Sequence, residues 1–413
     1  MEPWHAPAPL QRAYCITEVY HTQKSGAQFD VVMSSAHAFE DALVDDFDSI
    51  QTSLSEVDVR TATCLKPEDT KAILDELAQG VGFVACNTLV IGLLREALAA
   101  QAREALARLP AAERGTSALI NNLGLLLEAM GKLEEARPLF EEALQARRET
   151  LGDRDPSMLA SINNMGLLLH AMGQLEEARP LLEEVLQARR ETLGDRHSST
   201  LASIGNMGLL LHAMGQLEEA RPLLEKHMQA CRETLGDRHP HTLISINNVG
   251  MLLHAIGKLE EAGPLLEEAV QASREMGGER HPVTLISIGN LADLLRATGA
   301  LVEAEAVLGT NAVAVAQEVF GSSHMHTLLL TAKAVRLQHA QPGGAAAGKE
   351  LLAATVARMA EVLGDTHPQT CKYTGRFSLR WSEKCRGERV QQQHVFTFHV
   401  FVPLSRQPQP ESK

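Results

Sequence analysis

The chain has 413 residues, 45% of them hydrophobic, and its 38 basic against 52 acidic side chains give a net charge of −14. That balance excludes nucleic acid or an anionic membrane as the main partner, because both require a basic footprint. Six scattered cysteines, Cys15, Cys64, Cys86, Cys231, Cys371 and Cys385, form no CxxC pair, which excludes a disulfide framework and reads as reduced thiols in a cytoplasmic protein.

In chain order, MEPWHAPAPLQRAYC has no apolar h-region and predicts no signal peptide. FDVVMSS (29–35) and VDVRTAT (57–63) read as strands, with a helix at 37–55 between them and another in KPEDTKAILDELAQG (66–80). Residues 1–92 therefore read as a small α/β segment. Phe39, Leu43, Phe47, Ile50 and Leu54 hold a heptad-like spacing for barely two heptads, short of a coiled coil. The most apolar run, GVGFVACNTLVIGLL (80–94), is too short to cross a bilayer and contains Asn87, so a buried helix is expected and no membrane insertion. A capping helix and loop are predicted over 93–115, with the helix itself at 93–110.

Self-comparison then dominates. MGKLEEARP begins at Met130, MGQLEEARP at Met172 and again at Met214, IGKLEEAGP at Ile256 and TGALVEAEA at Thr298, each step being 42 residues. LGDR recurs in the same register at Leu151, Leu193 and Leu235. A fixed period over five copies marks a repeat array, with boundaries at 116 and 326. Copies two and three differ at only a handful of positions, among them Asn163 against Gly205 and Val185 against His227.

Each copy reads as a helical hairpin. Leu159, Ile162, Met165, Gly166 and Leu169 form one stripe of a first helix. Thr200, Thr242 and Thr284 suit its N-cap, and Gly131, Gly173, Gly215, Gly257 and Gly299 its left-handed end. The second helix carries Leu175, Ala178, Leu182 and Val185 on its apolar side, acidic residues at its start and arginines at its end, as the helix dipole favours. Gly124, Gly166, Gly208 and Gly250 fall in mid-helix, where glycine is costly unless another helix approaches closely. One hairpin cannot bury both stripes, so stacking follows, and the small rotation per copy leaves a concave face.

A degraded sixth copy is expected over 327–370, with Thr327–Ala340 as its first helix and 351–368 restoring the second. Copy five carries one extra residue before His324. Residues 371–413 turn basic and aromatic, and read as a flexible tail.

These motifs resemble tetratricopeptide (TPR) repeats. The 42-residue period and the INNxGLLL…GxLEEAxPLxEEAL…LGDRHP wording look like the subclass found in kinesin light chains and nephrocystin-type proteins. The resemblance implies an all-α fold, a right-handed α-solenoid of TPR hairpins, acting as a non-catalytic scaffold or adaptor that binds a short peptide segment of a partner protein in its groove. It places on that groove Asn121, Leu125 and Glu128; Asn163, Leu167 and His170; Leu209 and His212; Asn247, Met251 and His254; and Asp293 and Arg296. A second ladder, Asn122, Asn164, Asn206, Asn248 and Asn290, stands beside the first, either binding a ligand main chain or bonding neighbouring helices.

The histidines His170, His212 and His254 tempt a metal reading, yet zinc ligands converge at about 2.0–2.1 Å whereas stacked helices stand about 8–10 Å apart. No metal and no cofactor are expected; a groove that gains positive charge in mild acid is the better reading. His227 replaces an apolar residue on a buried stripe and reads as a satisfied core histidine, and His197, His239 and His281 as turn and packing residues. Two alternatives stand beside the scaffold. FDVVMSSAHAFEDALVDDF resembles the opening of a TIR-type signalling domain, implying an enzymatic remnant; the other alternative is a self-assembling scaffold, in which near-identical copies stack end to end.

Overall fold

In copies one to four the repeat wording folds each time into the same pair of helices. The computed structural model describes residues 57–374 other than 65, 80, 81, 341–344, 365 and 366, together with 17, 18 and 21. Among them no strand occurs. The expected strand at 29–35, the helix at 37–55, the TIR-like stretch and the tail from 375 lie outside the described residues. VDVRTAT is a correction: its centre is a single 3-10 turn, Val59–Thr61. The Asp58 carboxylate accepts from the Arg60 backbone N–H at 3.1 Å, and such a local side-chain bond competes with strand pairing.

Before the array come α1 (Pro67–Gln79), α2 (Phe83–Arg108) and a single turn, α3 (Ala111–Arg114). The hairpins follow as α4 (Ala118–Ala129) with α5 (Leu133–Thr150), α6 (Pro156–Ala171) with α7 (Leu175–Leu193), α8 (Ser198–Ala213) with α9 (Leu217–Leu235), and α10 (Pro240–Ile256) with α11 (Leu259–Gly277). In copy five, α12 (Pro282–Ala297) is followed by two short helices, α13 (Leu301–Leu308) and α14 (Ala312–Phe320). Gly309, at φ +62°, makes the break, and there the extra residue of this copy is absorbed. Copy six is α15 (Met325–Ala340) and α16 (Ala345–Leu363), and a last helix, α17, runs Pro368–Thr374.

The core stripes are those read from the sequence: Leu159, Ile162, Met165 and Leu169 are buried with Leu175, Ala178, Leu182 and Val185. Burying a leucine of this size contributes about 1.5–3 kcal/mol, so the hairpins are held by stacking rather than by helix propensity. The mid-helix glycines are close-approach points: a methyl added at Gly124 would come within 2.6 Å of the Phe140 ring, and one at Gly166 within 2.8 Å of Leu182. Gly173 and Gly257 end their helices at φ +76° and +90°, a region that other residues enter at a cost.

The N-caps are a second correction. The first helices begin before the threonines, and the caps are Asp155, His197 and His239. The His197 and His239 imidazoles accept through Nδ1 from the backbone N–H of Ser199 and His241, each at 3.2 Å. Thr200 and Thr242 lie inside the helix, where their hydroxyls donate to the carbonyls of Arg189 and Cys231 at 3.2 Å and tie each copy to the one before.

The chain divides into two compact units. The first holds residues 1–150, 279–282 and 310–331. In it α2 is long and apolar enough to cross a membrane by length and composition, yet its buried side carries Asn87 and Arg95. Arg95 donates to the carbonyls of Phe320 and Val319 at 3.3 and 3.4 Å, filling acceptors that the end of α14 leaves open. Asn87 joins a buried charge cluster. Its amide nitrogen donates to Asp58 and to Glu318, each at 3.0 Å; Arg60 donates to Glu318 at 2.7 Å, and Arg280 pairs with the same carboxylate. The second unit holds residues 151–278, 283–309 and 332–413 and contains most of the array.

Candidate functional site

The face of interest is built from the first helices of the hairpins, where positions 42 residues apart recur in register. In the second unit these are α6, α8, α10 and α12. The structure brings the two asparagine ladders together rather than leaving them side by side. Asn206 Nδ2 donates to Asn163 Oδ1 at 3.0 Å, and Asn290 Nδ2 donates to Asn247 Oδ1 at 3.2 Å. Each bond joins a first-ladder residue to the second-ladder residue of the next copy. These amides hold neighbouring first helices together, which satisfies polar groups that burial would otherwise leave costly.

The remaining ladder positions differ in access. Leu167, Leu209 and Met251 are buried, as are His212 (1% exposed), His254 (3%) and Asp293 (2%). Asn163, Asn164, His170 and Arg296 are half-buried. Burial, aided by His367, pulls the His170 pKa down to about 4. His170 therefore stays neutral in mild acid and does not supply the positive charge expected of the face. Asp293 accepts from Arg296 Nη2 at 3.0 Å, so that arginine is already partly neutralised.

In the first unit, α4 carries Asn121, Leu125 and Glu128, all half-buried. The Asn121 amide oxygen accepts from the Arg147 guanidinium, which also donates to the carbonyls of Thr116 and Ser117 at 3.3 and 3.2 Å. Loss of water pushes the Glu128 carboxyl up to about 7.

Sequence reasoning missed four residues of the second unit. Lys333, buried on α15, donates to Asn290 Oδ1 and so extends the amide ladder by one copy. Burial lowers its pKa to about 8, against the attraction of Asp293. Lys333 stands 43 residues after Asn290, so the ladder period plus the extra residue of copy five would have found it. Arg336 lies beside it, with its guanidinium carbon 5.4 Å from the centre of the Tyr373 ring. His367 Nε2 lies 3.1 Å from the Ala171 carbonyl oxygen, and its signal was the LGDTHP wording of 363–368. Tyr373 carried none.

The core histidine His227 on α9 lies 3.5 Å from Cys231 Sγ and against Gly205, where an added methyl would meet its ring at 3.1 Å. Burial and His241 lower its pKa to about 4. Among the described residues, no three His, Cys, Asp or Glu side chains gather in a way that could hold a metal ion.

The tetratricopeptide-repeat model matches residues 115–191, 157–221, 199–275 and 243–310. Two crystal structures of a Podosopora anserina kinesin-light-chain-type protein with nearly identical TPR-like repeats are similar in sequence. One is 32% identical, covering 48% of this chain and 93% of its own, with a TM-score of 0.40. The other is 31% identical, covering 51% and 98%, also at 0.40. The structure of NprR in complex with its cognate peptide NprX is 14% identical over 84% of this chain and 96% of its own, at a TM-score of 0.52, a likeness of fold alone. No curated protein matches the chain.

Proposed function

The chain belongs to the tetratricopeptide-repeat family, and on that premise we propose that it is a cytoplasmic, non-catalytic interaction scaffold whose ladder face receives a short peptide segment of a partner protein. The observation that carries this reading is the set of half-buried polar side chains at ladder positions, Asn163, Asn164 and His170 on α6 and Arg296 on α12. An array of this kind presents its first helices on a concave side, where an extended segment meets several copies at once. NprR, which shares the fold, holds a peptide; the analogy reaches no further than that.

The chemistry of the face narrows the ligand. The bonded asparagine pairs are committed to packing, which leaves main-chain recognition to Asn164, His170 and the free capacity of Asn163. Cations gather at the far end of the ladder, where Arg296, Lys333 and Arg336 stand with the carboxylate of Asp293. A peptide with an aromatic or aliphatic anchor followed by an acidic group suits that order, because the anchor gains from burial and the acid from the nearby guanidinium groups.

The test is a peptide-library selection on the full chain. Peptides so selected are expected to lose about ten-fold or more in affinity, the size of one good polar contact, on Arg296→Ala and on His170→Ala. Peptides that bind the parent and both variants equally would show that recognition lies elsewhere.

A further inference from the structure

The last described helix, α17, sits on the same face. Its opening is repeat wording: LGDTHPQT (363–370) matches LGDRHPHT (235–242) except at Thr366 and Gln369. It is capped in the same way, with His367 Nδ1 accepting from the Gln369 backbone N–H at 3.2 Å. It thus begins as the first helix of a seventh copy, yet no LEEA-type wording follows it in the sequence.

Both ends of α17 reach helices that carry the ladder face or continue it. At one end His367 meets the Ala171 carbonyl, an acceptor that the end of α6 leaves without an intrahelical donor. Gly173 lies so near that a methyl there would come within 2.6 Å of Pro368 Cδ. His367 is also close enough to His170 to disfavour its protonation. At the other end the Tyr373 ring stacks on Arg336, and its hydroxyl lies within the electrostatic reach of Asp293 and Arg296. α17 therefore spans from the end of α6, next to His170, to Arg336 on α15, within the electrostatic reach of Asp293 and Arg296.

A seven-residue helix is far below the roughly 12–15 residues at which an isolated helix holds in water. Tertiary packing is what keeps α17 folded, against the preceding α16 and through the contacts at its two ends. We infer that α17 is an intramolecular ligand that occludes the ladder face, so that a partner peptide enters by displacing it. The inference rests on the peptide-binding reading above. It also specifies the competitor: a peptide with an aromatic ring for Arg336 and, at the opposite end, a hydrogen-bond donor for the Ala171 carbonyl.

The experiment uses the full chain and a labelled synthetic peptide of residues 367–374, kept under reductant. Tyr373→Ala and the pair His367→Ala/Tyr373→Ala open the face in two degrees, and circular dichroism identifies the folded variants. The opened chains are expected to bind the peptide about ten-fold tighter than the parent, with the gain lost when Arg336→Ala is added. Equal binding by parent and opened chains, or a gain that survives Arg336→Ala, overturns the inference. Library-selected peptides that ignore the opening overturn occlusion and leave groove recognition standing. If the chain's own peptide behaves as expected and no foreign peptide is ever selected, occlusion holds and groove recognition falls.

Discussion

At the scale of residues, copies two and three differ where two of their differences touch. Asn163 and Val185 in copy two become Gly205 and His227 in copy three, and the His227 ring lies over Gly205 at a distance that leaves no room for a larger side chain. The two substitutions are therefore one event in packing terms. Gly205→Asn alone should overpack the site and cost about 1–3 kcal/mol. Made together with His227→Val, it should recover most of that loss, giving a coupling of about 0.5–3 kcal/mol. Urea denaturation of the four chains measures it, and additivity within about 0.5 kcal/mol would mean the residues are independent. A larger effect is expected at Glu318 in the first unit. This carboxylate is buried beneath Arg60, Arg280 and Asn87, and Glu318→Ala leaves two guanidinium groups without it. Removing one partner of a buried ion pair costs about 3–5 kcal/mol. A loss below about 1 kcal/mol in the same assay would show that solvent reaches the cluster freely.

At the scale of elements, the first helices start on an imidazole. A histidine cap works only while Nδ1 is an acceptor, and copy two shows the common alternative: the Asp155 carboxylate accepts from the Ser157 N–H at 2.7 Å. His239→Ala should cost about 0.5–2 kcal/mol, and His239→Asp should keep most of the stability. Thermal melts distinguish the two, and equal melting temperatures for Ala and Asp would remove the cap from the account. The sequence reading placed the cap on Thr200 and Thr242 because threonine is a preferred cap and histidine is not. What it could not see was the carbonyl at the end of the preceding second helix, which draws each threonine hydroxyl inward. Copy five shows the same limit. Counting residues revealed the insertion, but its position at Gly309 depends on where the second helix breaks most cheaply. Residues whose partners lie within one hairpin were legible; Gly166 with Leu182, and the glycine turns, are of that kind.

At the scale of the whole molecule, legibility fell with sequence separation. The period alone placed the ladder positions on the first helices, but their access is set by residues far along the chain, as when His367 meets Ala171 and His170. The same distant burial fixes how the protein responds to acid. His170, His227, His241 and His367 are held at about 4 by loss of water, and His324 lies well below its usual value for the same reason, with His326 and Arg95 adding to it. Their unfolded values lie near about 6.5, so between there and about 4 the unfolded chain binds more protons and gains on the folded one. Stability from these groups is complete above about pH 6.5 and is lost as the pH falls toward about 4. Glu128 acts in the opposite sense: raised to about 7, it favours the fold while protonated and withdraws that support as the pH rises through 7. Burial lowers His281 in the same sense, so one carboxyl opposes six imidazoles and acid lability wins. Urea midpoints should change little between about pH 8 and 6.5, then drop steeply by about pH 5, and His170→Asn with His227→Val should flatten the drop. A midpoint that holds or climbs in acid would mean that these histidines take up protons in the folded chain, and that water reaches the positions assigned here to the interior.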